Sequence, residues 1–282
     1  MVRRLRLPIA ALSTLLFLVI GCSTEQQRTT APTDDIALET RADSVAMQLF
    51  EAHGGPEAWP AAPYLRFDFG IRQGDQTRVA AKHLWNRETG DYRLEWGPSP
   101  DSQYVALFNV NAFGEAASEA APDAGEVYLN GAAVDSAAHA TRMQQAQQRF
   151  VNDSYWLLAP LKVFDPGVNR AYVADSSGAE HEVIQLTFGD VGMTPGDRYW
   201  LYVNAETGQL DRWAFNLQSM PDDAPARAFD WTDYQSFETP GGTVRLAASK
   251  PAVGGGAAIV FPTLDMPSDV PAAMFSSPDP QL

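Results

Sequence analysis

The chain has 282 residues, and its 35 acidic side chains outnumber the 20 basic ones, so its formal net charge is −15. Nucleic-acid phosphates and anionic membrane surfaces repel a body this acidic, which excludes nucleic acid as a partner. The simplest explanation of the negative charge is that it keeps the protein in solution. Cys22 is the only cysteine, so no disulfide can form within one chain.

The N-terminal segment has the pattern of a bacterial export signal. Several arginines precede an apolar stretch, Leu7–Ile20, that is too short to span a bilayer comfortably. The stretch runs into VIGC (Val19–Cys22), which resembles the lipobox of bacterial lipoproteins. This resemblance implies cleavage before Cys22 and acylation of that cysteine, with several chains giving a stable anchor where one anchors weakly. An uncleaved membrane anchor and an ordinary secretory signal are the alternatives.

The segment after the cysteine has few large apolar side chains, so we interpret it as a flexible tether. We therefore predict a signal peptide over residues 1–21, a tether over 22–38 and a single folded domain over 39–282. Ser23 resembles the residue that directs lipoproteins to the outer membrane. If the cell is Gram-negative, this implies an outer-membrane lipoprotein that faces the periplasm.

The first half of the predicted domain is a helix followed by strands. Residues 41–52 carry apolar side chains at helical spacing and are followed by HGG, a glycine-rich helix stop. Alternating apolar and polar residues then predict a series of strands, and Asn130-Gly131 predicts a tight hairpin. The Ala-, Glu- and Asp-rich segment 112–125 is predicted to be a loop between strands.

The alternation stops in the middle of the chain. Residues 135–150 predict a helix, and NDSYWLLAPLKVFDPG (152–167) predicts a second, short helix that ends near Pro160. Strands resume afterwards, with a hairpin turn at 204–210, and the chain ends in a thin tail. This order predicts a mainly β, α+β fold: a curved antiparallel half-barrel with helices packed on its concave face. A closed barrel plugged by the helical pair is the alternative, and a parallel α/β fold is disfavoured.

Four segments resemble a known group of proteins. They are EAHGGPEAW (Glu51–Trp59), FVNDSYWLLAPLKVFDPG (Phe150–Gly167), YWLYVNAETGQLDRWAF (Tyr199–Phe215) and VFPTLDMPSDVPAAMFSSP (Val260–Pro278). Together with the lipobox, they look like uncharacterised envelope lipoproteins of the lipoprotein-localisation superfamily, which has the LolA/LolB-like fold. The resemblance implies a half-open barrel around helices, with an apolar cavity that binds acyl chains.

The apolar run in the central insert is the candidate ligand site. Its large side chains are expected to point towards the sheet, and tryptophans are frequent in the predicted strands. An acyl chain buried between them would contribute roughly 10 kcal/mol before ordering costs, at about 0.8 kcal/mol per CH2. The alternative is that these residues are ordinary core. The predicted cavity residues are Tyr155, Trp156, Leu158, Phe164, Trp85, Trp96, Trp200 and Trp213.

Motifs of enzymes are absent from the sequence. None of the four histidines lies in HExxH, and GxSxG, GxxxxGK[ST] and CxxC do not occur. His83 and His181 lie in predicted strands, where we expect structural or solvent-facing roles. We therefore predict no catalytic residue, no metal and no cofactor.

These observations predict a lipid-anchored, monomeric envelope protein that is not an enzyme. It would bind a lipid, or the acyl chains of a lipoprotein, between the sheet and the helices. One alternative is a structural or interaction lipoprotein whose barrel is filled by its own side chains. Another is a secreted hydrolase with dispersed catalytic residues.

Overall fold

The computed structural model describes residues 36, 38–113, 124–189, 194, 196–221 and 223–282. The predicted signal peptide and Cys22 lie outside these residues. No helix in the described ranges is long and apolar enough to cross a membrane. The helices and strands are α1 (Arg41–Ala52), α2 (Gly55–Ala61), β1 (Tyr64–Gln73), β2 (Gln76–Asn86), β3 (Asp91–Ser99), β4 (Ser102–Asn109), β5 (Gly125–Leu129), β6 (Ala132–Ala133), α3 (Ser136–Leu158), β7 (Val168–Tyr172), β8 (His181–Phe188), β9 (Arg198–Asn204), β10 (Leu210–Asn216), β11 (Arg227–Asp230), β12 (Thr232–Thr239), β13 (Gly242–Pro251), β14 (Ala257–Val260) and β15 (Leu264–Asp265).

Helix α1 begins at a capping box. The Thr40 hydroxyl accepts a hydrogen bond from the Asp43 amide, and the Asp43 carboxylate accepts one from the Thr40 amide. Arg170 of β7 also donates to Asp43, over 3.0 Å. Burial opposes ionisation of Asp43, but the hydrogen bonds from Thr40 and Arg170 outweigh it and lower its pKa. The N-terminal end of α1 is therefore held to β7, a strand that is far away in the sequence.

Helix α1 ends at Ala52 and is capped by His53, where the sequence predicts its stop. The sequence analysis did not predict the helix that follows. Gly54 takes a φ of 133°, and α2 begins at the next residue with Pro56 in its first turn. Proline suits that position because the first amides of a helix have no partner within the helix.

The strands form two antiparallel sheets. The larger has the order β12-β13-β14-β1-β2-β3-β4-β5-β6, with β15 paired to β1, and the smaller has the order β11-β10-β9-β8-β7. A single bridge between Phe229 and Ala252 connects β11 to the end of β13. The pairing of β1 with β2 shifts between Phe69 and Gly70, and such an irregularity bends a strand.

The predicted turns are present where the structure describes them. Asn130 and Gly131 both have positive φ, 49° and 81°, and join β5 to β6 as the hairpin signal predicts. The turn between β9 and β10 closes through a hydrogen bond from the Asn204 amide to the Gln209 carbonyl. Most of the predicted loop 112–125 lies outside the described residues, because 114–123 are not described.

The central insert is one helix rather than two. Helix α3 runs without a break from Ser136 to Leu158 and passes into a 3-10 turn, Ala159–Leu161. The prediction of a separate second helix is wrong because the polar residues in NDS do not interrupt the helix. Asp153 is buried instead, and it is held by His83 at 3.3 Å and by Arg149 at 3.8 Å. Only the end of the helix near Pro160 is as predicted.

The two halves of α3 face two different core clusters. Met143 and Ala146 pack with the inner side chains of β3, β4 and β5. Leu157 and Leu158 belong to a larger cluster that also contains α1, α2 and the smaller sheet. Helix α3 thus connects both parts of the core.

The predicted fold class is confirmed. Antiparallel strands dominate, and the helices pack on the sheets. Among the described strands, β12 and β6 are the two ends of the larger sheet, so these strands do not close into a barrel. The alternative of a closed barrel with a helical plug is not observed in this part of the chain.

The C-terminal tail is bound to the outer side of β3. Arg93 is fully buried, and its guanidinium donates to Glu95 and to the carbonyls of Met274, Ser277 and Asp279. The Glu95 carboxylate in turn accepts hydrogen bonds from backbone amides of the last two residues. Strand β3 is therefore covered on both faces, by α3 and the core on one and by the tail on the other.

Candidate functional site

A group of aromatic rings lies where the C-terminal end of α3 meets the smaller sheet. Successive helix residues supply two rings, and the antiparallel register supplies most of the others, because it places Tyr199 opposite Phe215 and Trp213 opposite Phe229. We call this group the aromatic cluster. Its members are Tyr155, Trp156, Phe188, Tyr199, Trp213, Phe215, Phe229 and Trp231.

Trp213 is at the centre of the aromatic cluster. Its ring centroid lies 4.6 Å from that of Trp156, 4.9 Å from Tyr199, 5.7 Å from Tyr155 and 5.9 Å from Trp231. These separations are in the range of favourable aromatic pairs. The rings therefore contact one another and form a continuous apolar path from the helix to β11.

Burial differs along this path. Trp213 and Trp231 are 2% and 3% exposed, so they form a dry inner end. Tyr155, Trp156 and Phe229, by contrast, are only partly buried. The aromatic cluster thus has an outer end that reaches the surface and an inner end that is closed to water.

Three polar atoms of the aromatic cluster are buried without a hydrogen-bond partner. They are the Tyr155 hydroxyl and the Nε1 atoms of Trp213 and Trp231. Burial, together with the charge of Asp165, raises the pKa of Tyr155, so this hydroxyl remains a neutral donor. Buried polar groups in folded proteins are usually paired, so three unpaired atoms in one place mark an unusual environment.

Four of the predicted cavity residues come together. Tyr155, Trp156 and Trp213 share ring contacts, and Leu158 is buried in the same core. Phe164 lies nearby but faces α1, with its ring centroid 5.8 Å from that of Phe50.

The other predicted residues lie elsewhere. Trp96 is in the smaller core cluster and stacks on Tyr104 at 5.3 Å, while Trp85 packs against Tyr92 on the same sheet. Trp200 follows Tyr199 on β9, so its side chain points to the opposite face of that sheet. The eight predicted residues therefore do not share one site.

Lys250 is the residue near the site that the sequence analysis missed. It is fully buried, and its Nζ lies 4.4 Å from the Trp231 ring centroid and 4.3 Å from that of Phe261. It donates to the Ala247 carbonyl and has no carboxylate within ion-pair distance in the described ranges. Burial lowers its pKa well below the usual value. The alternation of β13, in which Val244 and Leu246 face inward, could have placed Lys250 inside.

A surface cavity of about 480 Å³ lies at the start of β9 and the end of β10. Its lining includes Arg198 and Asn216, whose positions alternate with Tyr199 and Phe215 along the strands, so their side chains lie on the opposite face of the sheet. Arg198 is exposed, whereas the Asn216 Oδ1 atom is buried without a partner. The cavity offers a donor and an acceptor, but no ring of the aromatic cluster lines it.

A buried polar network lies away from this site, between β2, β3 and α3. His83 has its Nδ1 atom 2.9 Å from the Tyr92 hydroxyl and its Nε2 atom 3.3 Å from Asp153. Burial is the main cause that lowers the pKa of His83 and raises that of Tyr92. All three side chains are closed to solvent, so the network links the helix to the sheet and gives a substrate no access. His83 has the structural role that the sequence predicts.

The second strand histidine is paired at the surface. His181 lies 2.9 Å from the Asp211 carboxylate, and both side chains are about one third exposed. Within the described residues, no group of three or more His, Cys, Asp or Glu side chains could hold a metal ion.

Comparisons with known proteins give structural likenesses only. No family model and no curated protein matches the chain. A DUF1329 family protein from Desulfovibrio piger is 10% identical, with a TM-score of 0.43, over 82% of this chain and 94% of that one. An outer membrane lipoprotein-sorting protein domain from Vibrio parahaemolyticus is 7% identical, with a TM-score of 0.39 and the same coverage. A LolA superfamily protein from Nitrosomonas europaea is 10% identical, with a TM-score of 0.36, over 83% and 96%.

The three likenesses span most of both chains in each case. With identities and TM-scores this low, we rest no argument on them.

Proposed function

We propose that this protein is a lipid-anchored component of the bacterial envelope that binds an acyl chain at the aromatic cluster. The acyl chain would belong to a lipid or to a lipoprotein. The observation that carries the proposal is the aromatic cluster itself, a continuous apolar path with a partly exposed outer end and a dry inner end. An acyl chain requires an apolar path of this kind.

Access requires that the rings at the outer end separate. Trp156 and Phe229 are both partly buried, and their centroids are 5.0 Å apart. They come from different elements, α3 and β11, so a small movement of the helix end would separate them.

The anchor would be Cys22, and Ser23 after it favours an outer-membrane location facing the periplasm if the cell is Gram-negative. The lipobox pattern carries this part of the proposal. Metabolic labelling with a radioactive fatty acid tests it: the wild-type chain should incorporate label, and Cys22→Ser should not. Equal labelling of the two chains would contradict lipidation of Cys22, and it would not bear on acyl-chain binding at the aromatic cluster.

Acyl-chain binding is tested on the full chain that carries Cys22→Ser, so that no covalent lipid interferes. Native mass spectrometry with a long-chain phospholipid should show a one-to-one adduct. Trp156→Ala should weaken this binding by about tenfold or more, because it removes a large part of the apolar wall. Trp200→Ala is the matched control, since Trp200 lies on the other face of β9, and it should bind as the parent does.

A structural role without a ligand is the competing proposal, and the ring contacts favour it. The rings of Trp156, Trp213 and Tyr199 already contact one another, as they would in an ordinary core. This alternative predicts no adduct at saturating lipid. It also predicts that Trp156→Ala lowers stability and changes nothing else.

A further inference from the structure

Lys250 is a buried amine without a carboxylate partner in the described ranges, and burial lowers its pKa well below the usual value. Its Nζ atom donates to the Ala247 carbonyl and lies 4.4 and 4.3 Å from two aromatic ring centroids, so its remaining donor capacity meets no oxygen acceptor among the described residues. Cation–π contacts stabilise the charged form only in part, and a buried charge without a partner is costly. A structural lysine at this place could be replaced by any apolar residue of similar shape, so the amine calls for another explanation.

The unpaired groups next to Lys250 are also donors. Trp231, whose ring Lys250 covers, has a buried Nε1–H without an acceptor, and Trp213, 5.9 Å further on, has another. The inner end of the aromatic cluster therefore has three donor groups with unused capacity. The group that would satisfy all of them is an acceptor with several lone pairs.

The charged groups that act on His53, near Lys250, are positive. His53 is buried with a pKa of about 4, mainly because of burial and further because of the positive charges of Arg245 and Lys250. It is therefore neutral at physiological pH and does not add to the positive charge, and Lys250 has no ion-pair partner within the described ranges. A carboxylate placed beside Lys250 would favour the protonated amine, because an opposite charge within a few ångströms stabilises the charged form.

We infer that the inner end of the aromatic cluster binds the carboxylate of a fatty acid through Lys250 and the indole N–H groups of Trp213 and Trp231. The inference rests on the proposed function and narrows its ligand to a free carboxylate on an acyl chain. The carboxylate faces Lys250, and the chain runs outward along Trp213 and Trp156. Charge-assisted hydrogen bonds to a buried carboxylate are stronger than neutral ones, so the acid binds more tightly than an uncharged analogue.

The test compares laurate with dodecanol, which have the same chain length, on the full chain with Cys22→Ser. Affinities are measured by displacement of a fluorescent fatty acid. The parent should prefer laurate by about 10- to 100-fold, as expected for a charge-assisted hydrogen bond. Lys250→Met should bind both ligands with the affinity that the parent shows for dodecanol. Lys162→Met is the control, because Lys162 is one third exposed and paired with Asp165, and it should keep the preference.

Trp231→Phe is a milder variant that keeps an aromatic ring and removes one donor. It should reduce the preference for laurate and leave dodecanol binding unchanged, and it serves if Lys250→Met does not fold. Equal affinity of the parent for the two ligands, or an undiminished preference in Lys250→Met or in Trp231→Phe, would overturn the inference. If the parent then still binds dodecanol tightly, the proposed acyl-chain binding is supported without the carboxylate site. If it binds neither ligand, both the proposed function and the inference are contradicted.

Discussion

Acidification from pH 7 to pH 4 should destabilise this protein through His53. The imidazole is 1% exposed, and its Nδ1–H donates to the Leu49 carbonyl over 2.9 Å. Its Nε2 atom faces the Tyr234 hydroxyl at 3.3 Å, and that hydroxyl donates to the Leu210 carbonyl. Burial opposes the charged ring, and it is the main cause that lowers the pKa of His53 from 6.5 to about 4.

The sign follows from the two pKa values. Below pH 6.5 the unfolded chain binds a proton at His53, whereas the folded chain binds it only near pH 4. Stability is therefore lost as the pH falls through this window and is fully present above it. A depression of about 2.5 pKa units corresponds to about 3 kcal/mol, at 1.36 kcal/mol per unit.

Urea unfolding at several pH values between 4 and 7 measures the effect. His53→Gln removes the titrating group. Subtracting the unfolding free energy of this variant from that of the wild type therefore separates the contribution of His53 from those of the carboxylates and of His83. The difference in unfolding free energy should fall by about 3 kcal/mol between pH 7 and pH 4. A difference that stays constant with pH, or one that grows towards acid, would refute the burial argument.

Three further predictions concern buried polar and charged groups. Asp153→Ala should cost about 1 to 3 kcal/mol of unfolding free energy, because it leaves a buried His83 nitrogen without its partner; Asp165→Ala, in an ion pair that is about one third exposed, should cost about 1 kcal/mol or less. Similar losses in the two variants would contradict this. Deletion of residues 274–282 should lower the thermal midpoint clearly, because the buried ion pair on β3 loses its backbone partners, and calorimetry showing an unchanged midpoint would argue that the tail is dispensable. Lys250→Met should raise the unfolding free energy by about 1 to 3 kcal/mol, since an apolar side chain replaces a buried amine that lacks acceptors for its remaining donors; a loss in chemical denaturation would mean that the amine stabilises the core.

Local patterns in the sequence predicted the fold class well. The capped start of α1, the glycine stop after it and the Asn130-Gly131 turn are decided by neighbours in the chain, so they can be read from short segments. The continuity of α3 could not be predicted in this way. Asp153 remains helical because His83, far away in the sequence, receives its side chain.

The candidate site was predictable only in part. Aromatic content and alternation identified Tyr155, Trp156 and Trp213, which do come together. They did not separate Trp200 from Tyr199, although one step along a strand reverses the face. Trp96 was grouped with the others because residue type does not reveal which of two core clusters a strand faces, and Trp85 packs against both clusters.

Helix α3 also has a mechanical consequence. A helix of 23 residues is about 34 Å long, and one half rests on each core cluster. One continuous helix therefore joins the ring contact with Phe229 at its C-terminal end to Met143 and the inner side chains of β3, β4 and β5 at the other.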